Sequence, residues 1–120
     1  MKRLGVVIVM LSVIGLFAIP AHAGILEASG KVKLLRVHDV GTGYGPATDQ
    51  IDVEVIVWLD SQPGKAFGFQ LRNDAKGLAH QGMLDLLRDA FTNNRTVTID
   101  YDEISPVRKN SILIRVWVSK

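Results

Sequence analysis

Catalysis or metal binding would have to start from histidine, serine, cysteine or carboxylate side chains, and in this chain they are scattered. His38 and His80 each stand alone, with no second ligand at i+4 to make a metal pair. Asp100, Asp102 and Glu103 cluster at the end of a strand pattern. Asp100 and Asp102 share a face and could offer oxygens to a hard cation such as calcium. No loop geometry completes such a site, so a solvated strand end, paired with Arg108 or Lys109, is the simpler reading. Ser61, Ser105, Ser111 and Ser119 fall in turns or at strand ends, outside any nucleophile elbow. The chain has no cysteine, which removes thiolate catalysis, cysteine-ligated zinc and disulfides. The expectation is a protein that is not an enzyme and has no cofactor or metal.

The elements that would position these residues follow from periodicity. Residues 24–29 read as a short leader. Lys31 to Val40 reads as a strand in which Val32 and Leu34 share one phase and Leu35 and Val37 the other, the pattern of a β-bulge or sharp bend. Gly41 to Pro46 is a loop; no helix pattern follows it, so it is not a phosphate-binding loop. Ile51 to Asp60 alternates strictly, with Ile51, Val53, Val55, Val57 and Leu59 on the core side. Pro63-Gly64 suits a type II turn. Ala66 to Arg72 is a third strand, and Gly68 within it leaves room for a close neighbour. Met83, Leu84, Leu86, Leu87, Ala90 and Phe91 make one helical stripe, with Asn93-Asn94 as the stop. Thr96–Asp102 and Ser111–Lys120 return to period two, the last with Ile112, Ile114, Val116 and Val118 in phase. The order is β-β-β-α-β-β. It predicts a mostly β, five-stranded OB-fold-like barrel with one helix between strands three and four.

Both tryptophans fall off the core phase. Trp58 shares its face with Glu54 and Ile56, and Trp117 shares its face with Leu113 and Arg115. A tryptophan left in water forfeits much apolar burial. Three coverings are open: another subunit, through Ile56, Trp58, Leu113 and Trp117; a ligand; or the chain's own loops.

The first 23 residues carry an address. Lys2 and Arg3 precede an uncharged apolar run, Leu4 to Ile19, and Ala21-His22-Ala23 is a small-x-small cleavage site. The expectation is a signal peptide over residues 1–23, a single OB-like domain over 24–120, and a periplasmic or secreted protein with no stable membrane span after cleavage. The whole chain has 14 basic and 12 acidic residues, and two of the bases are Lys2 and Arg3. From Gly24 onward the charges therefore balance, which argues against nucleic acid as a partner.

Taken together, Lys31 to Lys120 and the export signal resemble bacterial secreted OB-fold proteins. One such group is the small periplasmic bacterial OB-fold family. The other is the ring-forming B subunits of secreted toxins, which bind host glycans; many of those carry a disulfide, which this chain lacks. OB-folds usually bind on the face of strands two and three, rimmed by the loops between strands one and two and strands four and five. Here that implies Tyr44, Arg108, Lys109 and Asn110 on the rim, and Glu54, Trp58, Gln70 and Arg72 on the face. An aromatic ring, an amide and a guanidinium suit an oligosaccharide or a protein ligand. The alternative is a homo-oligomer built through the tryptophan faces.

Overall fold

The alternating stretches fold as strands, and the helical stripe folds as a helix. The computed structural model describes residues 24–120; the expected signal peptide, residues 1–23, lies outside the described residues. The strands are β1 (Ile25–Val37), β2 (Val55–Leu59), β3 (Ala66–Phe69), β4 (Thr96–Asp102) and β5 (Asn110–Trp117). The helix α1 (Gly77–Thr92) lies between β3 and β4. The strands close into a barrel in the order β1-β2-β3-β5-β4. Neighbours are antiparallel except β3 and β5, which run parallel through Ala66↔Asn110, Phe67↔Ser111 and Gly68↔Ile112. This is the OB-fold arrangement. Among the described residues no helix is long and apolar enough to cross a membrane.

Closure depends on β1. Its first half, Ile25 to Lys31, pairs with β4, and its second half, Val32 to Val37, pairs with β2. The residues expected to be a leader are therefore strand. Of them only Ala28 turns a buried side chain inward, so the hydrophobic signal was too thin to read. The phase change between Val32 and Leu35 is a bulge: the register jumps from Val32↔Leu59 to Leu34↔Trp58, and Lys33 is the extra residue.

The barrel interior holds Val55, Val57, Leu59, Phe67, Phe69, Val97, Ile99, Tyr101 and Leu113. Phe67 and Tyr101 meet edge-on, with centroids 4.8 Å apart. Helix α1 plugs one end with Leu87 and Ala90, while Met83 and Leu84 pack around them. The helix stops where expected. Asn94 takes a left-handed conformation (φ 55°), and the Arg95 N–H donates to the Ala90 carbonyl at 2.9 Å.

Two expectations about faces are corrected. Leu113, placed on an outward face with Trp117, is inside the barrel. A second register shift, from Asp100↔Arg115 to Tyr101↔Leu113, makes Ile114 the extra residue. The bulge lets Leu113 and Val116 both point toward the core and leaves Ile114 exposed. Ile56, expected on an open face, is also fully buried, in a second cluster with Ile51, Val53 and Ala66. Its neighbours Val55 and Val57 face the interior, so Ile56 faces outward from the sheet. It is covered because the segment from His38 to Glu54 folds back over the outside of β2 and β3. Gly68 permits this. A Cβ there would lie 2.5 Å from Val53 Cγ2 and 3.0 Å from both Ile51 Cδ1 and the Val55 carbonyl oxygen.

Candidate functional site

The covering segment, the β1–β2 loop, carries the aromatic half of the site. Tyr44 and Ile51 exchange backbone hydrogen bonds, both 2.9 Å, and enclose a short 3₁₀ turn, Ala47–Asp49. That turn ends in Asp49, whose carboxylate ties the loop to the β4–β5 loop. Asp49 accepts hydrogen bonds from Arg108 Nε at 3.0 Å and from the backbone N–H of Lys109 at 2.9 Å, and also from the Asn110 N–H. Asn110 Nδ2 donates to the Asp49 carbonyl at 2.7 Å, and Arg108 donates to the Gln50 carbonyl. Burial pushes the Asp49 carboxyl up, but the Lys109 and Asn110 amides and the Arg108 guanidinium together outweigh it, and the net shift is downward.

Held this way, Tyr44 stands over β2. Its hydroxyl accepts a hydrogen bond from Trp58 Nε1 at 3.2 Å, and the Arg36 guanidinium lies 5.1 Å from its ring centroid. Trp58 remains 37% exposed. Beside the pair opens a cleft of about 230 Å³, walled by Trp58, Tyr44, Lys33, Asn110 and the β2–β3 turn from Asp60 to Lys65. A backbone hydrogen bond closes the turn: Gly64 has φ 80° and the Lys65 N–H donates to the Gln62 carbonyl at 3.2 Å. Asp60 Oδ1 accepts from the Lys31 N–H at 2.9 Å, which fixes the carboxylate at the cleft's edge.

The eight residues singled out from the sequence divide among three places. Tyr44, Trp58 and Asn110 meet at the cleft. Arg108 and Lys109 sit in the loop tether, the first through its side chain and the second through its amide. Glu54, Gln70 and Arg72 lie at the far end of β2 and β3. There Glu54, 2% exposed, receives two hydrogen bonds from Arg72 at 2.9 and 2.8 Å and one from the Leu71 N–H at 2.9 Å. Arg72 also bridges to Asp52 at 2.8 Å, and the Gln70 amide donates to the Asp52 carbonyl. The Arg72 hydrogen bonds hold the Glu54 carboxyl below its ordinary value against the opposing effect of burial. These three side chains are engaged with one another and with the backbone, away from Trp58. Trp117 is half-buried at the end of β5, opposite Thr98.

Sequence reasoning missed Lys33, Asp60 and Lys65. The phase break in β1 was the available signal for Lys33, since a bulge re-aims the inserted side chain. Asp60 and Lys65 flank the Pro-Gly turn that follows the Trp58 strand. His80, alone in its segment, hydrogen-bonds through Nδ1 to the Gln70 carbonyl and meets Phe69 edge-on. Among the described residues no three of His, Asp or Glu converge as a metal site. Comparison with known proteins found no matching family model, no matching curated protein and no matching solved structure.

Proposed function

We propose that this protein is an exported, non-enzymatic binding module whose ligand, an oligosaccharide or a protein segment, docks in the cleft at Trp58 and Tyr44. One observation carries the reading. A large aromatic side chain is left open to solvent at the mouth of a preformed cleft, and its indole is oriented by a hydrogen bond to a tyrosine. The surrounding loops are fixed by backbone hydrogen bonds and the Asp49 tether, so little ordering is required when a ligand arrives. Export to the periplasm or beyond rests on the sequence of residues 1–23, and N-terminal sequencing of the exported protein should begin at Gly24.

The experiment is a binding screen against glycans and peptides, run beside solution sizing of the wild type and Trp58→Ala. Loss of the aromatic stack should weaken binding about tenfold or more, with the assembly state unchanged. A wild-type oligomer that Trp58→Ala dissociates would replace this reading with the homo-oligomer one. That alternative would rest on Trp58 and Trp117, because Ile56 and Leu113 are enclosed by the chain itself.

A further inference from the structure

Resting on that reading of the cleft, we infer that its ligand is an acidic saccharide: one sugar ring lies on Trp58 while its carboxylate meets Lys33 and Lys65. The charge lining the cleft is two lysines against one aspartate. Among the described residues neither lysine is in an ion pair. Asp60 is partly committed, since one carboxylate oxygen already accepts the Lys31 N–H. Arg36 stands over the Tyr44 ring and adds a further positive charge beside the site. Lys33 reaches the cleft because it is the inserted residue of the β1 bulge, and Lys65 because it closes the Pro-Gly turn. Two separate backbone irregularities thus bring cations to the same aromatic surface.

The hydrogen-bonding groups suit a sugar. Tyr44 uses its oxygen as acceptor for Trp58, which leaves its own proton to donate. The remaining Asp60 oxygen can accept sugar hydroxyls. The indole offers a flat apolar face to the C–H side of a ring. At about 230 Å³ the cleft is smaller than the roughly 300–1,000 Å³ of pockets that enclose drug-sized ligands, so it holds one ring while the rest of the chain runs outside.

The test compares oligosaccharides with and without their charge, measured by calorimetry on the chain from Gly24 to Lys120. The probes are trigalacturonate, a hyaluronan hexasaccharide and an alginate tetrasaccharide, each beside its methyl ester. At least one acid should bind about tenfold more tightly than its ester, and added salt should narrow the gap. The double variant Lys33→Met/Lys65→Met should bring that acid down to the ester's level, with its urea midpoint showing that the barrel is intact. Trp58→Ala should weaken acid and ester alike. Equal binding of acid and ester, lost in Trp58→Ala, would overturn the acidic assignment and leave the cleft reading standing. Acid binding untouched by any of these substitutions would overturn both. No acid bound at millimolar concentration would overturn the inference, as would tighter binding of an oligothymidylate through the same lysines.

Discussion

Gly68→Ala tests the packing of the β1–β2 loop against the barrel, on which the site depends. On strand propensity alone the change should stabilise by about 0.5–1 kcal/mol, because glycine is a poor strand residue. Contacts decide otherwise. The new methyl would stand 2.5 Å from Val53 Cγ2, 3.0 Å from Ile51 Cδ1 and 3.0 Å from the Val55 carbonyl oxygen. Of the side chains, only the Ile51 Cδ1 end can yield readily; Val53 is fully buried and stiff at its branched Cβ. The third is backbone of β2, held in register by Ile56↔Gly68. Overpacking costs about 1–3 kcal/mol, and an approach of 2.5 Å belongs in the upper part of that range, so the net effect is a loss of about 1–2 kcal/mol, read as a lower urea midpoint. Val53→Ala alone should destabilise by leaving a cavity. The double variant should lose less than the sum, because the added methyl enters the space that the Val53 side chain vacates, with a coupling of about 0.5 kcal/mol or more. Trp58 fluorescence should shift in Gly68→Ala, since displacing the loop moves Tyr44. A neutral or stabilising Gly68→Ala, or strict additivity in the double variant, would refute the claim that the loop is packed on that glycine.

Two further outcomes follow from the core and the hydrogen-bonded carboxylates Asp49 and Glu54. Leu87→Ala removes the side chain with which α1 plugs the barrel and should cost about 2–5 kcal/mol in a denaturant titration; a loss near zero would mean that the helix is not part of the core. Asp49 and Glu54 both have folded-state pKa values lowered below those of an unfolded chain. Their stabilisation is therefore complete above about pH 5 and is lost as the pH falls through the folded values. Urea midpoints should fall below that pH, and Glu54→Gln should be weaker at neutral pH with a shallower acid decline; an unchanged slope would exclude Glu54 from the effect.

The sequence made the barrel legible because most of its elements keep one period throughout. The helical stripe turns Leu87 and Ala90 inward, although Phe91 at its end stays exposed, and the alternation of Val97, Ile99 and Tyr101 maps directly onto buried positions. What it hid were interruptions of period. The inserted Ile114 reverses the phase of β5, so alternation assigns Leu113 to the outside although it is core. Ile51 and Val53 share a parity with Val55, yet a bend at Glu54 puts them on the other side of the sheet. Alternation cannot register a strand that is buried on both faces by two different partners. The cleft was half legible: Trp58, Tyr44 and Asn110 were found by chemistry and fold analogy. Lys33, Asp60 and Lys65 were not, because their positions come from a bulge and a turn. The same fold analogy puts Glu54 and Arg72 on the binding face, but the structure turns them toward each other.

The pairing of β1 with β4 also dictates when this molecule can become itself. The Ser29 hydroxyl meets that of Thr98 at 2.8 Å, across a sequence separation of 69 residues. The strand at the start of the described chain therefore has half of its hydrogen-bonding partners near the end. No fragment that stops before Thr96 can complete the barrel, and long-range pairing of this kind makes for slow folding. A chain threaded amino-terminus first through a narrow channel would have its opening strand waiting, unsealed, until nearly all of the sequence had emerged. Closure this late would defer assembly of the barrel until its last strands had emerged.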